Sequence, residues 1–312
     1  MDSSLRAATS SLSTPLCGRR TSATLPPMTA EALLAPGLYL VATPIGNLED
    51  MTLRAARVLK QADLIACEDT RHTQKLLNHF GITTRAISYH EHNEASRAAE
   101  LIERLAHGAR IAILSDAGTP GISDPGFRLV SLAIQRGITV VSIPGSTAFV
   151  TALVASGLPL ELFSFRGFLP PKSGARRREL EKIRISSSTE IFYEAPHRIR
   201  ETLEDVVEAL GPQRPVVVAR ELTKIHEEFL RGTAEQVLGS LKTRDDIKGE
   251  IVLLIGAAME GENQSPPLSI RNRVEQIMRE EKLGEKNALK KAAKERGISK
   301  SEAYREMQRK QR

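Results

Sequence analysis

The 312-residue chain contains no tryptophan, and aromatic residues make up only 4% of it. A broad aromatic platform of the kind that stacks successive bases is therefore not available to it. Only two cysteines occur, Cys17 and Cys67, far apart in the chain. That spacing supplies neither a clustered metal site nor a disulfide framework, and it suits a reduced, cytoplasmic setting. No apolar run reaches the length of a membrane-spanning helix. Neither a Gly-x-Gly-x-x-Gly fingerprint nor a Walker phosphate loop is present, which disfavours a dinucleotide or a nucleoside triphosphate as ligand.

What is present is enough chain for two domains with a sizeable core, at an ordinary apolar content of 41%. The net charge of +6 is unevenly spread. Residues 271–312 carry fourteen Lys and Arg against seven Glu, whereas the rest of the chain is close to neutral. A basic appendage on a near-neutral body points to a polyanionic partner, nucleic acid above all. Residues 1–36 are rich in Ser, Thr, Ala and Pro, hold three Arg and show no periodicity, so a disordered extension is expected. Scarce acids also resemble an organellar transit peptide, and Met28 offers an alternative start close before the first strand.

From residue 38 the pattern alternates. Strands are predicted at 38–43, 64–66, 86–88, 111–114 and 139–142, with helices at 53–60, 73–79, 94–107, 127–136 and 148–155. Such alternation builds a mostly parallel sheet covered on both faces. After a hinge at Ser156-Gly157-Leu158-Pro159, a second α/β unit is predicted, with strands at 162–168, 190–193, 216–221, 227–231 and 250–255. The close spacing of two of these strands predicts a hairpin and hence a mixed sheet. Helices are expected at 175–185, 199–210 and 234–241. Residues 261–267 read as a proline-ended linker, followed by a helix at 269–281 and a basic helix–turn–helix-like pair around Gly297-Ile298-Ser299.

Chemistry is expected where strands run into loops of small residues. The segment 111–126, IAILSDAGTPGISDPG, ends a strand in a turn carrying Asp116 and Asp124 among glycines and prolines. Thr43-Pro44-Ile45-Gly46 and Pro144-Gly145-Ser146-Thr147 end two further strands in the same manner. In an open α/β sheet, ligands bind beyond the strand carboxyl ends, and glycine lets the backbone come close to them. Three such loops on one rim make a pocket suited to a small ligand with hydroxyls or positive charge.

In order, VATPIGNLED, EDTR (68–71), HEHNE (90–94), SDAGTPGISDPG, IPGSTA, GFLPPK, YEAPHR and RELTK resemble the bacterial 16S rRNA ribose-2′-O-methyltransferases that modify a decoding-centre cytidine. These belong to the tetrapyrrole-methylase superfamily of S-adenosylmethionine enzymes. The resemblance spans about residues 37–256, and the basic C-terminal segment is similar to the family's appended helical domain. Small departures are Thr147 where Ser is usual and Ala195 in place of Ser. The resemblance implies two αβα domains (37–156 and 157–260), a small helical domain at 268–312, a homodimer and a methyl donor held in the cleft between the αβα domains. It assigns donor binding to Pro44, Gly46, Asp116, Ala117, Gly118, Thr119, Ser123, Asp124, Gly145, Ser146 and Thr147, with no metal. The implied partner is 16S rRNA within the small ribosomal subunit.

Transfer to a ribose hydroxyl requires a proton to leave. Glu68, His92 and Glu221 are the preferred acceptors, with Asp69 and Glu194 as further candidates. Arg71, His197, Arg198, Arg220 and Lys224 near strand ends are expected to position RNA through phosphates. Lys172 and the run Arg176-Arg177-Arg178 are expected to add RNA contacts. Two other readings stand beside this one. A tetrapyrrole- or protein-modifying relative has no need of a basic helical tail, and a non-enzymatic RNA-binding module has no need of intact donor loops.

Overall fold

The computed structural model describes residues 33–90, 92–124, 126–258, 270–281 and 283–308. Most of the expected extension at 1–36 and the linker at 261–267 lie outside these residues. The first half alternates β1 (Gly37–Val41), α1 (Leu53–Gln61), β2 (Leu64–Cys67), α2 (Thr70–His79), β3 (Ala86–Ser88), α3 (Glu94–Ala106), β4 (Arg110–Leu114), α4 (Phe127–Gln135), β5 (Val140–Ile143) and α5 (Ala148–Ser156). Then follow β6 (Phe163–Phe168), α6 (Ser173–Lys182), β7 (Thr189–Glu194), α7 (Ile199–Leu210), β8 (Pro215–Arg220), β9 (Glu228–Thr233), α8 (Ala234–Lys242) and β10 (Ile251–Ile255). Three helices close the chain: α9 (Ile270–Glu281), α10 (Glu285–Glu295) and α11 (Lys300–Gln308).

The first sheet is wholly parallel, in the order β3-β2-β4-β1-β5. Its inner strands β2, β4 and β1 are buried on both faces because alternate residues serve two cores. Leu38, Ile111 and Ile113 face α3 and α4, whereas Tyr39, Val41, Ala112 and Leu114 face α1 and α2. The second sheet is mixed, in the order β6-β7-β10-β8-β9, with only β6 and β7 parallel. The β8–β9 hairpin is present as expected.

Helix α5 ends where Gly157 turns left-handed at φ +79°. Its buried Ala152 and Leu153 pack with Ile191, Val217, Val252 and Leu254 of the second sheet. The same core takes in Ile45 from the loop after β1 and Leu222 from the loop after β8. One continuous apolar layer therefore joins the two sheets, and each fully buried Leu, Ile or Val in it is worth about 1.5–3 kcal/mol.

The C-terminal helices have a core of their own, made of Ile270, Val274 and Ile277 from α9, four residues of α10, and Ala303 of α11. The pair expected around Gly297 is thus a three-helix cluster. Gly297 itself adopts φ +64° in the turn before α11.

Candidate functional site

Because β1 lies between β4 and β5 in the sheet, the loops that leave these strands are neighbours at one rim. Hydrogen bonds fasten them together. Thr43 N–H donates to Gly118 O at 2.9 Å, and Gly118 N–H donates back to Thr43 O at 3.1 Å. Gly118 sits at φ +83° with Ile45 Cγ2 against its free face, so a branched side chain is strained there whatever the ligand. The Thr119 hydroxyl donates to Ser146 O at 3.2 Å and shares a 2.7 Å bond with the Thr147 hydroxyl. Ser115 Oγ lies 3.3 Å from Ala117 O and 3.2 Å from Gly118 O, its single proton shared among these carbonyls and Asp124.

The second sheet supplies the facing wall. Its register sets Ile251 opposite both Glu194 and Arg220, which gathers the ends of β7 and β8 and the start of β10 at one edge. A cleft of about 400 Å³ opens there, within the range of about 300–1,000 Å³ usual for small-ligand sites. Asp116, Ala117, Gly118, Thr119, Ser123, Asp124 and Thr147 line it from the first sheet. Phe168, Tyr193–Pro196 and Gly249–Val252 line it from the second.

Of the residues expected to bind a donor, those seven reach the cleft, whereas Pro44, Gly46, Gly145 and Ser146 are not in its lining. Gly46 and Gly145 allow chain to pack on chain. A Cβ on Gly46 would meet Lys224 Cγ at 2.5 Å and Thr223 Oγ1 at 2.8 Å, and one on Gly145 would meet Ala42 Cβ at 2.8 Å. Gly46 therefore closes a seam between the two sheets, where Asn47 N–H also donates to Thr223 Oγ1 at 3.0 Å. Ser146 contributes the carbonyl that holds Thr119.

The first wall is acidic. Asp124 is pushed up to about 6, first by burial and then by the charge of Glu68, against a hydrogen bond from Ser115. Burial and Asp116 raise Glu68 as well, with His90 opposing. Among the described residues no Lys or Arg ion-pairs with Glu68, Asp116 or Asp124. Asp116 is oriented by the main chain instead, accepting from Asp69 N–H at 3.0 Å. Asp69 also caps α2 by accepting from Arg71 N–H at 2.8 Å. The group is a half-buried cluster of carboxyl groups with no Lys or Arg paired to it among the described residues, and a cationic ligand would relieve it.

The remaining expected acids behave differently. Glu221 accepts from Lys224 Nζ at 2.9 Å and from Glu250 N–H at 3.0 Å. Lys224 foremost holds its carboxyl below the usual range, so it is a poor proton acceptor. It packs against Gly249, where any Cβ would collide with it. Glu194 is buried and accepts from Arg198, Thr202 Oγ1 and Ala195 N–H. His92 is exposed, its ring edge-on to His90 at 5.9 Å, and does not line the cleft.

The expected RNA-contacting cations are mostly neutralised. Arg71 pairs with Asp69, Arg198 with Glu194, Arg220 with Glu228, and Lys224 with both Glu221 and Glu250. His197 is exposed beside the cleft-lining Pro196. The basic run on α6 needs correction. Arg176 is buried against Asp205 at 2.6 Å, and Arg177 pairs with Asp205 at 2.7 Å and with Glu208. They brace α6 against α7, which leaves Lys172 and Arg178 as the exposed cations of that run with no ion pair among the described residues.

On the second wall Glu194 is among the expected site residues, whereas Tyr193 and Phe168 are not. Tyr193 and Phe168 stack edge-to-face at 5.6 Å, and burial pushes the Tyr193 hydroxyl up to about 12. Their signal was the small-residue ends of GFLPPK and YEAPHR, the counterpart of the loops on the first sheet.

The family of tetrapyrrole (corrin/porphyrin) methylases matches residues 37–238. The chain is 50% identical over 275 residues to ribosomal RNA small subunit methyltransferase I of Halalkalibacterium halodurans, covering 86% of this chain and 93% of that one. To the protein of the same name from Vibrio cholerae it is 51% identical over 239 residues, covering 76% and 83%. Among solved structures, diphthine synthase superposes with a TM-score of 0.57 at 16% identity, covering 70% of this chain and 89% of that one. Uroporphyrin-III C-methyltransferase from Thermus thermophilus, complexed with S-adenosylhomocysteine, gives 0.50 at 19% identity, covering 70% and 97%.

Proposed function

Because the chain belongs to the tetrapyrrole (corrin/porphyrin) methylase family and groups there with the ribosomal RNA small subunit methyltransferase I proteins, we propose that it is an S-adenosylmethionine-dependent 16S rRNA methyltransferase. Its target in this reading is the ribose 2′-hydroxyl of a cytidine in the decoding centre. The observation that carries the donor assignment is the uncompensated carboxylate wall of the cleft. The names of the relatives support the RNA.

The residues present fit the donor. Asp116 and Asp124 offer negative charge to its ammonium and sulfonium and acceptors to its ribose hydroxyls. The main-chain N–H groups of Ala117, Thr119, Thr147 and Ala148 suit a carboxylate, that of Gly118 being bonded to Thr43, and Tyr193 and Phe168 offer an apolar wall. When bound, S-adenosylmethionine supplies a methyl carbon already activated by its sulfonium. The chain's own task is then alignment, which supplies up to about 7–11 kcal/mol in such reactions. The rigid Thr43–Gly118 and Thr119–Thr147 bonds hold one wall still while the loops around Tyr193 and Gly249 present the RNA ribose. Glu68 takes the hydroxyl proton in this reading: it stands outside the cleft lining but close enough to Asp116 and Asp124 for their charges to act on one another, and no cation holds it as Lys224 holds Glu221.

Residues 37–156 and 157–260 serve as the two αβα domains and 268–312 as an RNA-contacting appendage, in a homodimer working in the cytoplasm. In this reading Arg71, His197, Arg220 and Lys224 meet the RNA outside the cleft lining, and positive charge free of ion pairs comes from the C-terminal helices. The test is incubation of the purified protein with small ribosomal subunits and methyl-labelled donor, followed by mapping of 2′-O-methyl groups on 16S rRNA. A single new 2′-O-methylcytidine is expected. Label on a base, on another RNA or on protein would overturn the assignment.

A further inference from the structure

We propose that the groove between α10 and α11 is a single-stranded RNA site that stacks one base on Tyr304 and tracks the adjoining phosphates with Lys286, Lys290 and Lys294. The proposal rests on the reading of RNA as the substrate and adds where, and in what conformation, the RNA is gripped away from the cleft. Leu289, Ser301 and Tyr304 line the groove together with Lys300 and Arg305. Tyr304 is 52% exposed, and its hydroxyl has no hydrogen-bond partner among the described residues. An aromatic face left open between two cations is an arrangement that stacks a base while its phosphates are neutralised.

The charge around it is not solvated by chance pairing. Three acids of the cluster are engaged internally: Glu295 with Arg273, Glu306 with Arg296, and Glu302 with the N–H and hydroxyl of Ser299. Lys286, Lys290 and Lys294 are exposed and have no ion-pair partner among the described residues. Spaced by four residues, they form one ridge along α10, successive lysines standing about 6 Å apart along the axis. Lys286 stands one turn from Leu289 at the edge of the groove, and the ridge turns away from there by about 40° per lysine, so it continues the path of a strand leaving the groove, whose own cations are Lys300 and Arg305. A duplex would meet the ridge but could not lay a base face on Tyr304 without unstacking. The aromatic shelf therefore selects single strands.

The absence of tryptophan makes the test direct. Tyr304→Trp places a sole indole in the groove. Adding a short mixed-sequence single-stranded RNA should quench its emission, whereas inorganic polyphosphate and a duplex of the same sequence should not. Tyr304→Ala should weaken binding of that oligonucleotide roughly five- to 150-fold, and Tyr304→Phe should keep wild-type affinity. Replacing Lys286, Lys290 and Lys294 with Gln should lower the log–log salt slope by about 2, so that between about 50 and 200 mM salt the wild type loses roughly twentyfold more affinity than the variant. Equal quenching by duplex or polyphosphate, wild-type binding by Tyr304→Ala, or an unchanged salt slope overturns the proposal. Affinity for S-adenosylhomocysteine and 16S rRNA methylation by the wild type are measured alongside. If the wild type methylates and only the oligonucleotide arms fail, this inference falls alone; if the wild type does not methylate rRNA, the parent reading falls.

Discussion

Replacing Gly46 with alanine probes the seam between the sheets rather than the cleft itself. The new methyl would stand 2.5 Å from Lys224 Cγ, 2.8 Å from Thr223 Oγ1 and 3.1 Å from Leu222 O, where ordinary contact begins at 3.4 Å. Lys224 can swing its stem aside. Thr223 cannot: its φ of +64° and its bond from Asn47 N–H fix it, and Leu222 O is main chain. The loop after β8 must therefore retreat by about 0.5 Å, and overpacking of this kind costs about 1–3 kcal/mol. A loss of that size lowers the melting temperature by roughly 2–10 °C in a chain of this length. Leu222 lines the cleft, so the same retreat misplaces its far wall. Since a displacement of about 1 Å can cost about a hundredfold in rate, half of that predicts about tenfold slower methylation. Thermal melts, calorimetric affinity for S-adenosylhomocysteine and turnover on small subunits read the three consequences together. Thr223→Ala in the same chain should recover part of the stability, with a coupling of about 1 kcal/mol. A Gly46→Ala protein that melts like wild type but loses donor affinity would refute the seam and put Gly46 in contact with the donor.

Two further perturbations separate charge from packing. Asp124 has a folded-state value of about 6, above its ordinary 3.8; between these values the folded state binds more protons than the unfolded, so stability falls as pH rises through the window and then levels off. Asp124→Asn should remove that slope, matching wild type below about pH 4 and gaining about 1–2 kcal/mol at neutral pH once partial exposure is discounted, while losing affinity for the cationic donor more than for neutral-sulfur S-adenosylhomocysteine; a wild-type pH profile in urea melts would contradict this. Arg198→Ala strands the buried Glu194 carboxylate and should cost about 3–5 kcal/mol, with Arg198→Lys a poor substitute because two guanidinium nitrogens face one oxygen; reduced RNA turnover at an unchanged melting temperature would instead assign Arg198 to the substrate.

The order of strands and helices was legible because each element carries its own period, 2 or near 3.6, within a few residues. The β8–β9 hairpin was legible for the same local reason. The first wall of the cleft was legible because Asp116, Gly118 and Asp124 lie in one turn. At the second wall Glu194 and Arg220 were legible one by one, but not their meeting at Ile251, which comes about only through antiparallel pairing across the sheet. Long range also explains the basic run on α6. Arg176 reads as a surface cation until α7 brings Asp205 to it. Glycine misled in a different way. Gly46 and Gly145 share the loop signature of ligand approach, yet the atoms that approach them belong to this chain.

The strand orders also fix when a growing chain can acquire its cleft. In the first sheet, β1 is flanked by β4 and β5, so the earliest strand made has no hydrogen-bonded neighbour until the chain has been synthesised to residue 114. In the second, β10 stands between β7 and β8. Before Ile255 has left the exit tunnel, β6–β7 and β8–β9 are two separate ribbons with their inner edges bare. A nascent chain thus carries a finished first wall and an open, pairing-hungry second half over much of its synthesis. During vectorial production the vulnerable interval is the stretch between β8 and β10, and truncated translation products ending there should be the aggregation-prone species.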